Sequence, residues 1–163
     1  MTTILIGLGE YALSSTAGDC IKTLGLGSCV AVTALHGGSG TVAMAHIVLP
    51  DSNSDPTRAK KQPGYFADTA IVAMFEELTK ATGGKGRFLI KLIGGASVLR
   101  QAPANALMHI GKRNILAAKK ALWKRGLGAL GEDTGGTVSR SISITVGSDL
   151  VNITTNGKIK STL

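Results

Sequence analysis

An α+β layered domain, with mixed and antiparallel sheets packed against two main helices, is the fold class that three observations predict. Short runs rich in Val, Ile and Ala crowd both ends of the chain, two amphipathic helical stretches lie between them, and no internal repeat, low-complexity tract or linker interrupts the order. At 163 residues the chain fits one domain spanning 1–163, large enough to bury about two thirds of its unfolded surface.

In chain order, Thr3 to Ile6 and Tyr11 to Leu13 read as short strands. Ser28 to Leu35 and Thr41 to Leu49 read as a hairpin around the Gly37-Gly38-Ser39-Gly40 turn. Residues 50–64 are polar, carry Pro56 and Pro63 and lack periodicity, which predicts an exposed loop. A helix follows from Phe66 to Thr82, with Ala67, Ile71, Met74, Phe75 and Leu78 on one stripe and Gly83-Gly84 closing it. Asp68 near its start suits the helix dipole.

Arg87 to Ile93 is the next strand, ended by Gly94-Gly95. The second helix runs from Ile110 to Arg125, with Ile115, Ala118 and Leu122 facing inward and Gly126 as the residue that ends it. Val138 to Val146 and Leu150 to Thr155 alternate apolar with polar residues about Gly147-Ser148-Asp149, a second hairpin.

Charge and composition narrow the function classes. The formal net charge is +8, and no Asp or Glu occurs between Leu78 and Gly131, where Lys80, Lys85, Arg87, Lys91, Arg100, Lys112, Arg113, Lys119, Lys120, Lys124 and Arg125 all fall. Aromatic residues are only 4% of the chain, too few to build stacking platforms for single strands, and no zinc-ligand spacing occurs. The positive middle therefore reads as a solvated helix face or a surface for an acidic protein partner, with no nucleic acid expected. Two cysteines cannot make a disulfide framework, no basic-then-apolar leader is visible, and no apolar run approaches the roughly 20 residues that cross a bilayer. A reducing, cytoplasmic setting without membrane insertion is the expectation.

Gly7-Leu8-Gly9-Glu10-Tyr11-Ala12 imitates a dinucleotide-binding turn. The segment beyond it meets Ser14, Ser15 and Gly18 before a covering helix can form, and no acidic residue for a ribose lies between Cys20 and Pro50, so no nucleotide cofactor is expected.

The chemistry-bearing pattern is Thr23-Leu24-Gly25-Leu26-Gly27-Ser28-Cys29 followed by His46 on the next strand. A thiol is only a few per cent ionised at neutral pH, so a nucleophilic cysteine needs a nearby base, and one hairpin supplies it. No local carboxylate can orient His46, which leaves a hydroxyl or backbone oxygen, and Thr23 is the local candidate. Gly25 and Gly27 allow close backbone approach, so the amides of Ser28 and Cys29 can face a developing oxyanion. A lone cysteine in an apolar strand is most often a small buried hydrophobe, and pattern alone leaves both readings open. Cys20 reads as an incidental thiol in a polar connection, His36 as a turn residue, and His109 as preceding the second helix; no metal set emerges. Glu132-Asp133-Thr134-Gly135-Gly136 reads as a turn with its own caps or as a cleft wall.

These residues resemble the CheD family, the chemoreceptor glutamine deamidases of bacterial and archaeal chemotaxis. The resemblance rests on Gly7-x-Gly9-Glu10-Tyr11, the Thr23 to Val30 segment, Ala45-His46-x-x-Leu49-Pro50-Asp51-Ser52, Tyr65-x-Ala67-Asp68-Thr69-Ala70, Gly94-Gly95-Ala96, Ile110-Gly111-x-Arg113-Asn114 and Glu132 to Gly136. The connection from Leu99 to His109 and a short C-terminal tail depart from it.

The resemblance implies a cysteine hydrolase with a Cys29, His46 and Thr23 triad on a fold similar to toxin deamidase catalytic domains, with Asn114, Asp133 and Thr134 as cleft residues. It implies conversion of receptor glutamines to glutamate through a thioester, methyl-ester hydrolysis by the same route, and no cofactor or metal. Implied partners are chemoreceptor helices and a CheC-type phosphatase, with the domain itself a monomer. A non-catalytic receptor- or phosphatase-binding module is the alternative.

Overall fold

The computed structural model describes residues 1–97 and 108–163. The predicted connection around Leu99 and the cation Arg100 fall outside them. Among the described residues, ten strands form two five-stranded sheets, and two long helices cover one face.

The outer sheet contains β1 (Thr3–Ile6), β3 (Cys20–Leu26), β8 (Arg140–Thr145), β9 (Val151–Thr155) and β10 (Lys158–Thr162), in the order β1-β3-β8-β9-β10. The central sheet is built from β2 (Tyr11–Ser14), β4 (Val30–His36), β5 (Val42–Ile47), β6 (Phe88–Gly94) and β7 (Gly131–Thr134), in the order β2-β5-β4-β6-β7. β1 with β3 and β6 with β7 pair parallel; every other pairing is antiparallel. The helices are α1 (Pro56–Lys61), α2 (Ala67–Thr82) and α3 (Met108–Lys124).

The central sheet is covered on both faces, which is why β4 and β5 are buried at every position, apolar except at Thr33, His36 and His46, instead of alternating. Val30, Val32, Ala34, Ala43, Ala45 and Ile47 face α2 and α3. Ala31, Leu35, Val42, Met44 and Ile93 face the outer sheet, where Ile21, Ile142, Ile144, Val151 and Ile153 meet them. The outer sheet has one wet face and shows the period of two that this requires.

The α+β expectation holds, as do both hairpins and both main helices. Gly126 ends α3 as predicted: its N–H reaches the Trp123 carbonyl, the Leu127 N–H reaches Leu122, and its φ of 71° is one that side chains avoid. Five expectations change. His109, read as preceding the second helix, lies within α3. Thr23 belongs to a strand, because Cys20–Leu26 pairs with both β1 and β8 and the glycine turn begins only after a bulge at Gly25. Cys20, read as part of a polar connection, opens that strand opposite Thr3 and Thr145. The 50–64 loop contains α1, which starts with Pro56 at its first turn and Asp55 capping the Arg58 N–H. Glu132 to Thr134 is neither a turn nor a loose connection but edge strand β7.

Candidate active site

Strand register sets the predicted pair at diagonal positions of one hairpin. His46 lies directly opposite Ala31, and Cys29 precedes Ala31 by two residues on the same face, so the two side chains are diagonal neighbours. That face looks into the layer between the sheets, where Cys29 packs with Ala31 and Met44. Thr23 enters the same layer from the outer sheet, opposite Ile6 and Ile142. All three residues are buried.

The hydrogen bonds fix the protons. Thr23 Oγ1 has a single hydrogen and donates it to the Ile6 carbonyl at 2.8 Å. Its 2.7 Å contact with His46 Nδ1 must therefore be accepted by the hydroxyl, which places the imidazole proton on Nδ1. Nε2 is left with a bare lone pair, and this buried nitrogen has no hydrogen-bond partner among the described residues. The His46 backbone is held equally firmly, its N–H on the Glu10 carbonyl and its own carbonyl on the Gly9 N–H, both at 2.9 Å.

Electrostatics keep the pair uncharged at rest. Burial lowers the His46 pKa to about 4, against a smaller upward pull from Glu10. Burial pushes the Cys29 thiol up, partly offset by its own backbone amide. Burial thus leaves a neutral imidazole with an open Nε2 lone pair, and the same burial makes proton transfer from the resting thiol uphill.

The Gly25–Cys29 turn presents backbone donors. The carbonyls of Gly27 and Cys29 are claimed by the Ala96 and Gly95 N–H groups, each at 2.8 Å, while among the described residues Ser28 N–H finds no acceptor and Cys29 N–H none besides its own sulfur. Gly94 makes this wrap possible, since a Cβ there would sit 2.4 Å from the Cys29 carbonyl oxygen and its φ is 111°. Beside His46 opens a cavity of about 390 Å³ lined by Leu5, Ile6, Gly7, Leu8, Glu10 and Leu24, three of whose leucines are largely exposed.

The remaining candidates take other places. Asn114 is fully buried, so it lines no open cleft; its Nδ2 donates to the Ser28 and Val48 carbonyls. Asp133 is paired with Arg140 at 3.1 Å, and Thr134 lies opposite Gly94 on β7. Reading the chain missed the Gly94–Ala96 wrap as part of the site, although the paired glycines at the end of a strand were its signal. A larger groove of about 570 Å³ lies on the helix layer, away from His46, with Arg113, Lys120, Lys124 and Arg125 among its walls. Among the described residues no cluster could hold a metal ion and no helix is long and apolar enough to cross a membrane.

Comparison with known proteins adds lineage to geometry. A family model described as CheD chemotactic sensory transduction matches residues 48–155. A probable chemoreceptor glutamine deamidase CheD of Syntrophotalea carbinolica is 41% identical over 160 residues, covering 97% of each chain. This chain belongs to the CheD family. The Thermotoga maritima chemoreceptor glutamine deamidase CheD is 42% identical over 142 residues, covering 87% of this chain and 85% of that one. A probable chemoreceptor glutamine deamidase CheD of Methanococcus vannielii is 36% identical over 155 residues, covering 95% and 96%. The family-model match starts two residues beyond His46, so in this CheD protein the Thr23, Cys29 and His46 cluster stands on its own geometry.

Proposed function

We propose that this CheD protein is a chemoreceptor glutamine deamidase working in the cytoplasm as a single-domain monomer, with Cys29 as nucleophile, His46 as general base and acid, and Thr23 as the group that holds His46. The observation that carries the reading is the buried, unpartnered His46 Nε2, with Nδ1 locked on Thr23 and Cys29 two residues before the position opposite His46.

The thiol proton passes to Nε2 as sulfur adds to the side-chain carbonyl of a glutamine. The resulting oxyanion is met by the Ser28 and Cys29 N–H groups, turn-held donors of a kind whose removal typically costs about 2.7–4 kcal/mol of barrier. Nε2 returns the proton to the departing nitrogen, which leaves as ammonia, and a thioester remains. Water then gives a proton to Nε2 and attacks the thioester; sulfur departs as the acid forms, and the thiol regains its hydrogen. Glutamine and water become glutamate and ammonia. A glutamyl methyl ester would follow the same path with methanol as leaving group.

The exposed Leu5, Leu8 and Leu24 around the cavity suit the apolar face of a receptor helix. New carboxylates on neighbouring receptor helices raise their mutual repulsion, which is how the product would shift signalling. A CheC-type phosphatase is the proposed second partner.

The test is mass spectrometry of a receptor cytoplasmic fragment before and after incubation. A gain of about one dalton at defined glutamines, absent with Cys29→Ala, supports the reading. The same gain with Cys29→Ala overturns it.

A further inference from the structure

We propose that Asn114 is a positioning residue that aims the Cys29 amide into the reaction crevice, a role that rests on the deamidase reading above. Asn114 sits in α3, fully buried, and its Nδ2 donates to the carbonyls of Ser28 and Val48, each at 2.9 Å. Both partners can only accept, so chemistry dictates which end of the amide faces them. The other end, Oδ1, is buried with no donor among the described residues. An apolar side chain of the same volume would fill this space without stranding an oxygen, so the two donors are what the position supplies.

The Ser28 carbonyl and the Cys29 N–H belong to one rigid peptide plane and point in opposite directions. Holding the carbonyl on Asn114 therefore turns the Cys29 N–H away from α3, and that N–H has no acceptor among the described residues besides its own sulfur. The neighbouring carbonyls, of Gly27 and Cys29, are held by backbone amides of Ala96 and Gly95. Of three successive peptide units around the nucleophile, only the middle one is held by a side chain.

The second hydrogen of Nδ2 ties the end of β5 just past His46 to the same point. One amide thus spans the strands carrying Cys29 and His46. Helix α3 can come this near because Gly111 meets Gly95, where a Cβ would stand 2.5 Å from the Gly95 carbonyl oxygen.

The experiment compares wild type, Asn114→Leu, Asn114→Ser and Cys29→Ala for kcat and KM on the receptor fragment, and for the pH profile of Cys29 alkylation by iodoacetamide. Alkylation builds no oxyanion and so reports thiol access and ionisation without the amide. Asn114→Leu is expected to lower kcat about 10²-fold, with KM and the alkylation profile unchanged. Asn114→Ser, whose single hydroxyl can hold only one carbonyl, should fall between it and wild type. Unchanged kcat in folded Asn114→Leu overturns the proposal, as does a parallel fall in kcat and alkylation. If Asn114→Leu does not fold, the same criteria apply to Asn114→Ser, and failure of both to fold makes the residue purely architectural. Turnover that survives Cys29→Ala instead sinks the deamidase reading, leaving a distinct signature.

Discussion

The β4–β5 hairpin carries a buried histidine at each end, and the two are wired oppositely. At the turn end, His36 spends both nitrogens: Nδ1 accepts from the Ser39 N–H at 3.1 Å, and Nε2 donates to the Lys85 carbonyl at 2.6 Å. Its ring also leans on Phe88, with centroids 5.3 Å apart. At the other end His46 spends only Nδ1, and in the opposite tautomer, leaving Nε2 bare inside the protein. Burying an unpaired acceptor costs on the order of 1–3 kcal/mol, a penalty His36 avoids and His46 bears. Two buried imidazoles can thus differ in wiring, and the unsatisfied nitrogen is the feature on which the proposed catalytic role of His46 rests.

The sharpest way to break that contrast is substitution. His46→Gln should reduce ammonia release about 10⁴-fold or more with the fold retained, while His36→Gln should leave kcat near wild type. Equal activity losses in the two variants would mean that the open nitrogen carries no chemistry.

Next in size is Thr23→Val, which keeps volume but removes the acceptor that sets the His46 tautomer. A fall in kcat of about 10²-fold or more is expected, with substantial recovery in Thr23→Ser. An active Thr23→Val would show that packing alone orients the ring.

The pH dependence then sharpens the electrostatic half. The folded pKa of His46 is depressed to about 4, so on acidification the unfolded chain takes up this proton first, near its ordinary value of about 6.5. Stability contributed by the neutral imidazole is therefore present above about 6.5 and lost as pH falls toward 4, by on the order of 3 kcal/mol. Urea unfolding at neutral pH and near pH 4.5 should show this loss in wild type and a smaller one in His46→Gln. The acid limb of kcat/KM for the free enzyme should correspondingly lie near 4 instead of 6.5.

The smallest effect expected is on the structural side. His36→Gln should lower stability by about 1–3 kcal/mol through its lost hydrogen bonds, measured by the same unfolding curves. A larger loss of activity than of stability would mean that the turn end of the hairpin also serves the reaction.

Much of the site was legible because it is local. Cys29 and His46 flank one hairpin, and β4 and β5 announced themselves as runs rich in Val and Ala because both faces of their sheet are covered. Thr23 was legible as a residue but not as a strand position, since Gly25 and Gly27 mask β3, which pairing with β1 and β8 holds in place. Strand β7 reads Gly-Glu-Asp-Thr, a poor strand sequence rescued by its ladder to β6, with its carboxylates neutralised by Lys119 and Arg140. The wrap by Gly95 and Ala96 and the Asn114 clamp join residues more than 60 positions apart, which no local period encodes.

Sequence by itself determined the layered α+β class, the two main helices and the hairpin that carries Cys29 and His46, because each follows from neighbours a few residues apart. Tertiary structure alone decided which imidazole nitrogen is protonated, which amides stay unclaimed and that the site sits between two sheets. Those properties depend on the direction of single hydrogens, and a hydrogen's direction is set by whichever acceptor the packed layers bring within 3 Å.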